Sequence, residues 1–135
     1  MENEDKIYTT KVKILKQARL QLLQLHKLFI DAERRDFEKQ NGQVSSGQFL
    51  NLLVNNANFQ WLRKFSLLIV EIDEMFELDD GFTESMVENC LTQLRSLVNL
   101  DSAEAEFEDK YKNFMQNNSE IAVKHNELTK LLPAG

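Results

Sequence analysis

The chain has 135 residues, 42% of them hydrophobic, and a net charge of -6 from 22 acidic and 16 basic side chains. One domain of this size removes roughly 70% of its unfolded surface from water without disulfides or a structural metal, and the acidic balance argues against general nucleic-acid binding, which needs a surplus of Lys and Arg against phosphates. With 4 Gly and 1 Pro the turn residues of an all-β fold are missing, so the expected fold is all-α: residues 1–135 as a single compact bundle of five or six helices, with a long N-terminal helix and a central apolar one.

The N-terminal MENEDKIYTT has no basic segment followed by an apolar one, and no run approaches the ~18 apolar residues of a membrane span, so a cytoplasmic protein is expected. The first helix is predicted from Asp5 to Gln40. Ile7, Ile14, Leu15, Ala18, Leu22, Leu25, Phe29 and Ala32 share one face, and Asn41-Gly42 ends it. Ser45 or Ser46 caps a short second helix with Phe49, Leu50, Leu53 and Val54 as its apolar content, and Asn55, Asn56 and Asn58 interrupt the chain after it. The third helix, Phe59 to Phe76, is apolar over most of its circumference and belongs at the centre, with Leu67 and Val70 spreading onto its other side.

Asp79-Asp80-Gly81 forms a turn, and Thr83 caps a fourth helix that turns Val87, Cys90, Leu91, Leu94, Leu97 and Val98 inward. Asp101 with Glu104 reads as a capping box opening a fifth helix that carries Phe107, Tyr111, Phe114 and Met115. Asn117-Asn118-Ser119 breaks it, and a sixth helix with Ile121, His125, Leu128 and Leu132 ends at Pro133. A first helix of about 36 residues spans roughly 54 Å and a third of about 20 only ~30 Å, so one partner cannot cover it. Either the fifth and sixth helices run along the remainder, or Ile7, Tyr8, Val12 and Leu15 pair with a second chain in a homodimer. The basic block Lys6 to Arg19 and the acidic block Glu71 to Glu88 complement each other, within one chain or between two.

The polar residues nearest the core are few. Asp73 sits at the flank of the central apolar face, where a cation such as Arg19 or His26 is the expected structural partner. Arg19, His26 and Glu33 recur every seven residues and form one column on the first helix. With Asp73 and His125, the residues His26 and Glu33 make an imidazole and carboxylate set of the type that binds zinc or iron. The bland reading is that each is a satisfied structural group. Cys90, the sole cysteine, reads as a small core residue.

Specific signatures are missing. Leu23 and Ala122 stand where a Glu-x-x-His di-iron motif needs Glu, and Gln21 and Glu120 stand where Arg-x4-His helical nucleases need Arg. There is no HExxH, CxxC, Gly-rich phosphate loop or GxSxG, and ELDDGF lacks the alternating acids of a calcium loop. The stretches LHKLFIDAERRDFEKQNG, Leu25 to Gly42, and NFQWLRKFSLLIVEIDE, Asn58 to Glu74, resemble a group of small bacterial all-helical proteins with no assigned activity. The resemblance implies a bacterial cytosolic origin and an all-α fold, and transfers no functional residue. The expected role is non-enzymatic, through protein-protein interaction or regulation, with no cofactor. The alternative is a small-ligand or metal-binding bundle, catalytic or not, built from His26, Glu33, Asp73 and His125.

Overall fold

The computed structural model describes residues 2–101 and 104–133, with side chains from Lys6 onward. Among the described residues there are six α-helices and no strand: α1 (Glu2–Asn41), α2 (Ser46–Asn55), α3 (Arg63–Phe76), α4 (Glu84–Val98), α5 (Ala105–Asn117) and α6 (Ser119–Leu131), with a 3-10 helix, Ala57–Leu62, leading into α3. The long α1 is the axis. Its most extensive partner is α6, and α3 and α4 share the rest of its apolar face.

Leu15, Ala18, Leu22, Leu25, Phe29 and Ala32 of α1 are buried at spacings of three and four residues, as the helical period requires. They meet Phe65, Leu68, Ile69, Ile72 and Met75 of α3 and the inward faces of α4, α5 and α6 in one cluster. The aromatic centre of that cluster is Phe29, whose ring lies 4.9 to 5.3 Å from Tyr111, Trp61 and Phe65. Phe107 and Phe114 extend it through Trp61. Edge-to-face and offset geometries of this kind add to the area the rings bury.

Local chemistry explains most element ends. Ser45 Oγ accepts from Gln48 N–H at 3.1 Å while Gln48 Oε1 accepts from Ser45 N–H at 2.9 Å, a capping box that starts α2. Thr83 Oγ1 caps α4, and Asn118 Oδ1 caps α6. Gly42 ends α1 at φ 84, the left-handed conformation where glycine has no steric cost. Leu100 adopts the same region at φ 60 just beyond α4, and Asp101 N–H reaches back to Ser96 O at 3.0 Å.

Several expectations need correction. The central helix does not begin as an α-helix at Phe59: Asn56 Oδ1 takes the N–H of Asn58, and Gln60 Nε2 donates to Val54 O and Asn56 O, which tightens residues 57–62 into the 3-10 helix. The Asp101 capping box does not form, since Glu104 occupies the cap position of α5 and makes no side-chain cap bond. On α2 only Phe49 is fully buried, whereas Leu50 and Val54 are exposed. At the start of α1, Leu15 is buried and Tyr8 and Val12 pack on the core, so the uncovered surface expected to drive a homodimer shrinks to Ile7. At this end α1 meets Phe82 through Tyr8 and Glu88 through Lys11, and Ile7 lies outside both contacts.

The basic and acidic blocks meet within the chain. Lys11 pairs with Glu88, Arg19 with Asp73, and the Lys16 ammonium lies 5.3 Å from the Phe76 ring centroid. No helix among the described residues is long and apolar enough to cross a membrane.

Candidate functional site

The heptad column on α1 runs antiparallel to the 3-10 helix and α3 and meets them rung by rung. Arg19 grips Asp73 with two bonds, Nε to Oδ1 at 2.8 Å and Nη2 to Oδ2 at 2.9 Å. This two-point fit holds the guanidinium above its ordinary value, chiefly through the hydrogen bond and against partial desolvation. One step on, the His26 ring stacks on Phe65 at 5.6 Å and 11°, and burial lowers its pKa. The last rung is Glu33, 6% exposed, whose Oε2 accepts from the Trp61 indole N–H at 2.8 Å.

Glu33 is the one buried charged side chain among the described residues, and it lines a polar cleft of about 280 Å³ between α1, the 3-10 helix and α5. Lys110 of α5 reaches Oε2 at 3.4 Å, longer than a strong charge-assisted bond, and also donates to Asn58 O at 3.1 Å. Oε1 has no hydrogen-bond partner among the described residues. Asp36, Gln40, Asn58 and Asn113 supply the remaining polar walls, over the rings of Phe37, Phe59 and Phe114.

His125 lies elsewhere, on α6, with Nδ1 2.6 Å from the Tyr111 hydroxyl. Burial raises the pKa of Tyr111 and lowers that of His125, so the arrangement that suits both is a neutral phenol donating to a neutral imidazole. His26, Glu33, Asp73 and His125 therefore each hold a different partner. Among the described residues no group of three or more His, Cys, Asp or Glu is placed to hold a metal ion. Cys90 is buried, 4.0 Å from the Met75 sulfur, and burial followed by the charge of Glu71 raises its pKa, away from nucleophilic thiolate chemistry.

A second surface lies on α3. Leu67 is 65% exposed and Val70 50% exposed, one turn apart on the side facing away from the core. Arg63 and Glu74 bracket them on the same face, both exposed. The spread of Leu67 and Val70 onto the polar side was visible in the helical wheel. Lys110 and Asn113 of the Glu33 cleft carried no such signal, because they belong to α5, with Lys110 77 residues beyond Glu33, and only packing brings them together.

No protein-family model matches this chain, no curated protein matches it in sequence, and no solved structure matches its fold.

Proposed function

We propose that this is a non-enzymatic helical protein of the bacterial cytoplasm that acts by docking another protein surface against the outer face of α3. One observation carries the reading: Leu67 and Val70 stand exposed there, while Asp73, Tyr111 and His125 are spent on intramolecular partners and Glu33 holds Trp61 through one oxygen. Catalysis needs side chains poised toward a substrate, whereas exposed apolar side chains ringed by charge suit recognition. A photo-crosslinking residue placed at Leu67, in cells of the source organism, should give an adduct of discrete mass that the same residue at exposed Gln116 does not. The absence of any adduct specific to position 67 would overturn the reading.

A second reading, small-ligand binding, is supported by the unpartnered Glu33 Oε1 in its cleft. Two carboxylates, Glu33 and Asp36, against one ammonium, Lys110, favour a small ammonium compound that donates to the free Glu33 Oε1 where it opens into the cleft. Trp61, the only tryptophan, donates to that acid and reports on it. Ethylammonium chloride should shift the Trp61 indole resonance saturably at constant ionic strength, and more strongly in Lys110→Met than in wild type. An equal response to ethylene glycol, or none to either, would remove this reading.

A further inference from the structure

The charges of α3 divide into two groups. Lys64 pairs with Glu104 at 2.9 Å, Glu71 accepts from Gln93 at 3.0 Å, and Asp73 is held by Arg19. Arg63 and Glu74 have no side-chain partner among the described residues, and they bracket the exposed Leu67 and Val70. Their placement also opposes the helix itself. Arg63 opens α3 and Glu74 stands in its last turn, so each sits at the end where the macrodipole disfavours its charge, and α3 has no acid in its first turn and no base in its last. A local rule broken at both ends of one exposed stripe calls for a gain outside the helix.

The spacing of that stripe indicates the gain. Arg63, Leu67, Val70 and Glu74 follow one another at intervals of four, three and four, which keeps them on one face. The intervals are the same read backward. A two-fold axis passing midway between Leu67 and Val70, perpendicular to α3, therefore sets Arg63 opposite Glu74 and Leu67 opposite Val70 of a second copy, each contact occurring twice. A parallel arrangement would set Arg63 on Arg63 and Glu74 on Glu74, so like-charge repulsion excludes it. In the antiparallel pair, Arg63 also lies near the negative end of the opposing helix and Glu74 near its positive end, which reverses the unfavourable placement within each monomer.

We propose that the partner docked on α3 is a second copy of this chain, joined through an antiparallel α3 to α3 contact with Leu67 and Val70 at its centre and two Arg63 to Glu74 ion pairs at its rims. This rests on the reading of α3 as a docking face and names its occupant. The stripe is only about 16 Å long, and four side chains per subunit fall short of the ~800 Å² per partner of a standard interface. Exposed Leu23 of α1 adds to the apolar area. It lies on α1 between the Arg19–Asp73 and His26–Phe65 rungs that join α1 to α3. The dimer is accordingly weak and reversible.

Sedimentation velocity of the full chain from about 10 µM to 1 mM tests it, a range chosen for association well short of nanomolar strength. The wild type should pass from monomer toward dimer. Arg63→Glu and Glu74→Arg should each weaken association about tenfold or more, because each replaces two attractions by two repulsions. The double variant R63E/E74R should restore it, since the swap regenerates both pairs. Both residues are exposed and each reversal suits its end of the helix dipole, so melting temperatures at or slightly above the wild-type value are expected and would confirm intact folding. A monomer at every concentration overturns the proposal, and so does a dimer indifferent to these reversals or single variants that the swap does not rescue. If the purified protein stays monomeric while position 67 still crosslinks in cells to a protein of another mass, the pairing fails and the docking reading stands. If neither occurs, both fail.

Discussion

The two ends of the bundle are held by different chemistry. Around Phe29, rings from α1, α3, α5 and the 3-10 helix pack at 4.9 to 6.3 Å, and the polar atoms among them are satisfied in pairs, Trp61 with Glu33 and Tyr111 with His125. Around the start of α1, contacts are thinner and more polar: Tyr8 against Phe82, Lys16 over Phe76, Lys11 with Glu88 and Arg19 with Asp73. Burial decides which end carries the stability. Phe65 and Phe29 are completely buried, whereas the Arg19 and Asp73 side chains keep 32% and 40% of their exposure. Ion pairs that wet are worth a fraction of a packed ring. The aromatic end should behave as the folding unit and the charged end as a tunable clasp.

The sharpest way to break that contrast is Phe65→Ala, which opens a cavity where five rings converge and should cost about 3 to 5 kcal/mol in urea denaturation. A loss under 1 kcal/mol would show that the aromatic cluster is not the main source of stability. Glu33→Ala comes next. It leaves the buried Trp61 N–H without an acceptor and should cost about 1 to 3 kcal/mol, while Glu33→Gln retains an oxygen there and should cost less.

Acid offers a graded test. His26 and His125 both titrate below their ordinary value of 6.5 in the folded state, because burial disfavours the charged ring. The unfolded chain then binds more protons, so stability is full above about pH 6.5 and falls as the pH drops toward the lowered folded values. Melting temperatures followed from pH 7.5 downward should decline, less steeply in His125→Gln. The smallest effect belongs to the clasp. Asp73→Ala should cost only about 0.5 to 1 kcal/mol, because the pair is more than a third exposed at Asp73, and that increment should shrink in high salt. A loss as large as that of Glu33→Ala would erase the distinction between the ends.

The sequence carried the contrast only in part. The buried faces of α1, α3, α4 and α5 were legible because each repeats at the helical period, and the column Arg19, His26, Glu33 was legible for the same reason. Asp73 was expected to hold a cation on the first helix, with Arg19 and His26 both candidates, and it holds Arg19. What escaped was set by neighbours distant in sequence. Lys110 meets Glu33, and His125 meets Tyr111, through the packing of α5 and α6, which no periodicity encodes. The 3-10 entry to α3 escaped because Asn56 and Gln60 redirect backbone bonds that an apolar pattern assigns to a helix.

Leu100 has its own lesson. A leucine held at φ 60 costs about 1 to 2 kcal/mol relative to the right-handed region, yet this one closes the end of α4 with the Asp101 to Ser96 bond that usually accompanies glycine. Its side chain packs on the core, so the corner is sprung: burial of the isobutyl group holds the backbone where it would not go unaided. The customary order of damage is thereby inverted. Glycine at this position gives up the packing and the strain together and leaves stability nearly unchanged, whereas alanine, the milder change elsewhere, keeps the strain and forfeits what opposed it. The corner after α4 is thus held by one partly buried side chain together with the Asn99 and Asp101 backbone bonds, and a glycine there would leave it as stable but freer to turn.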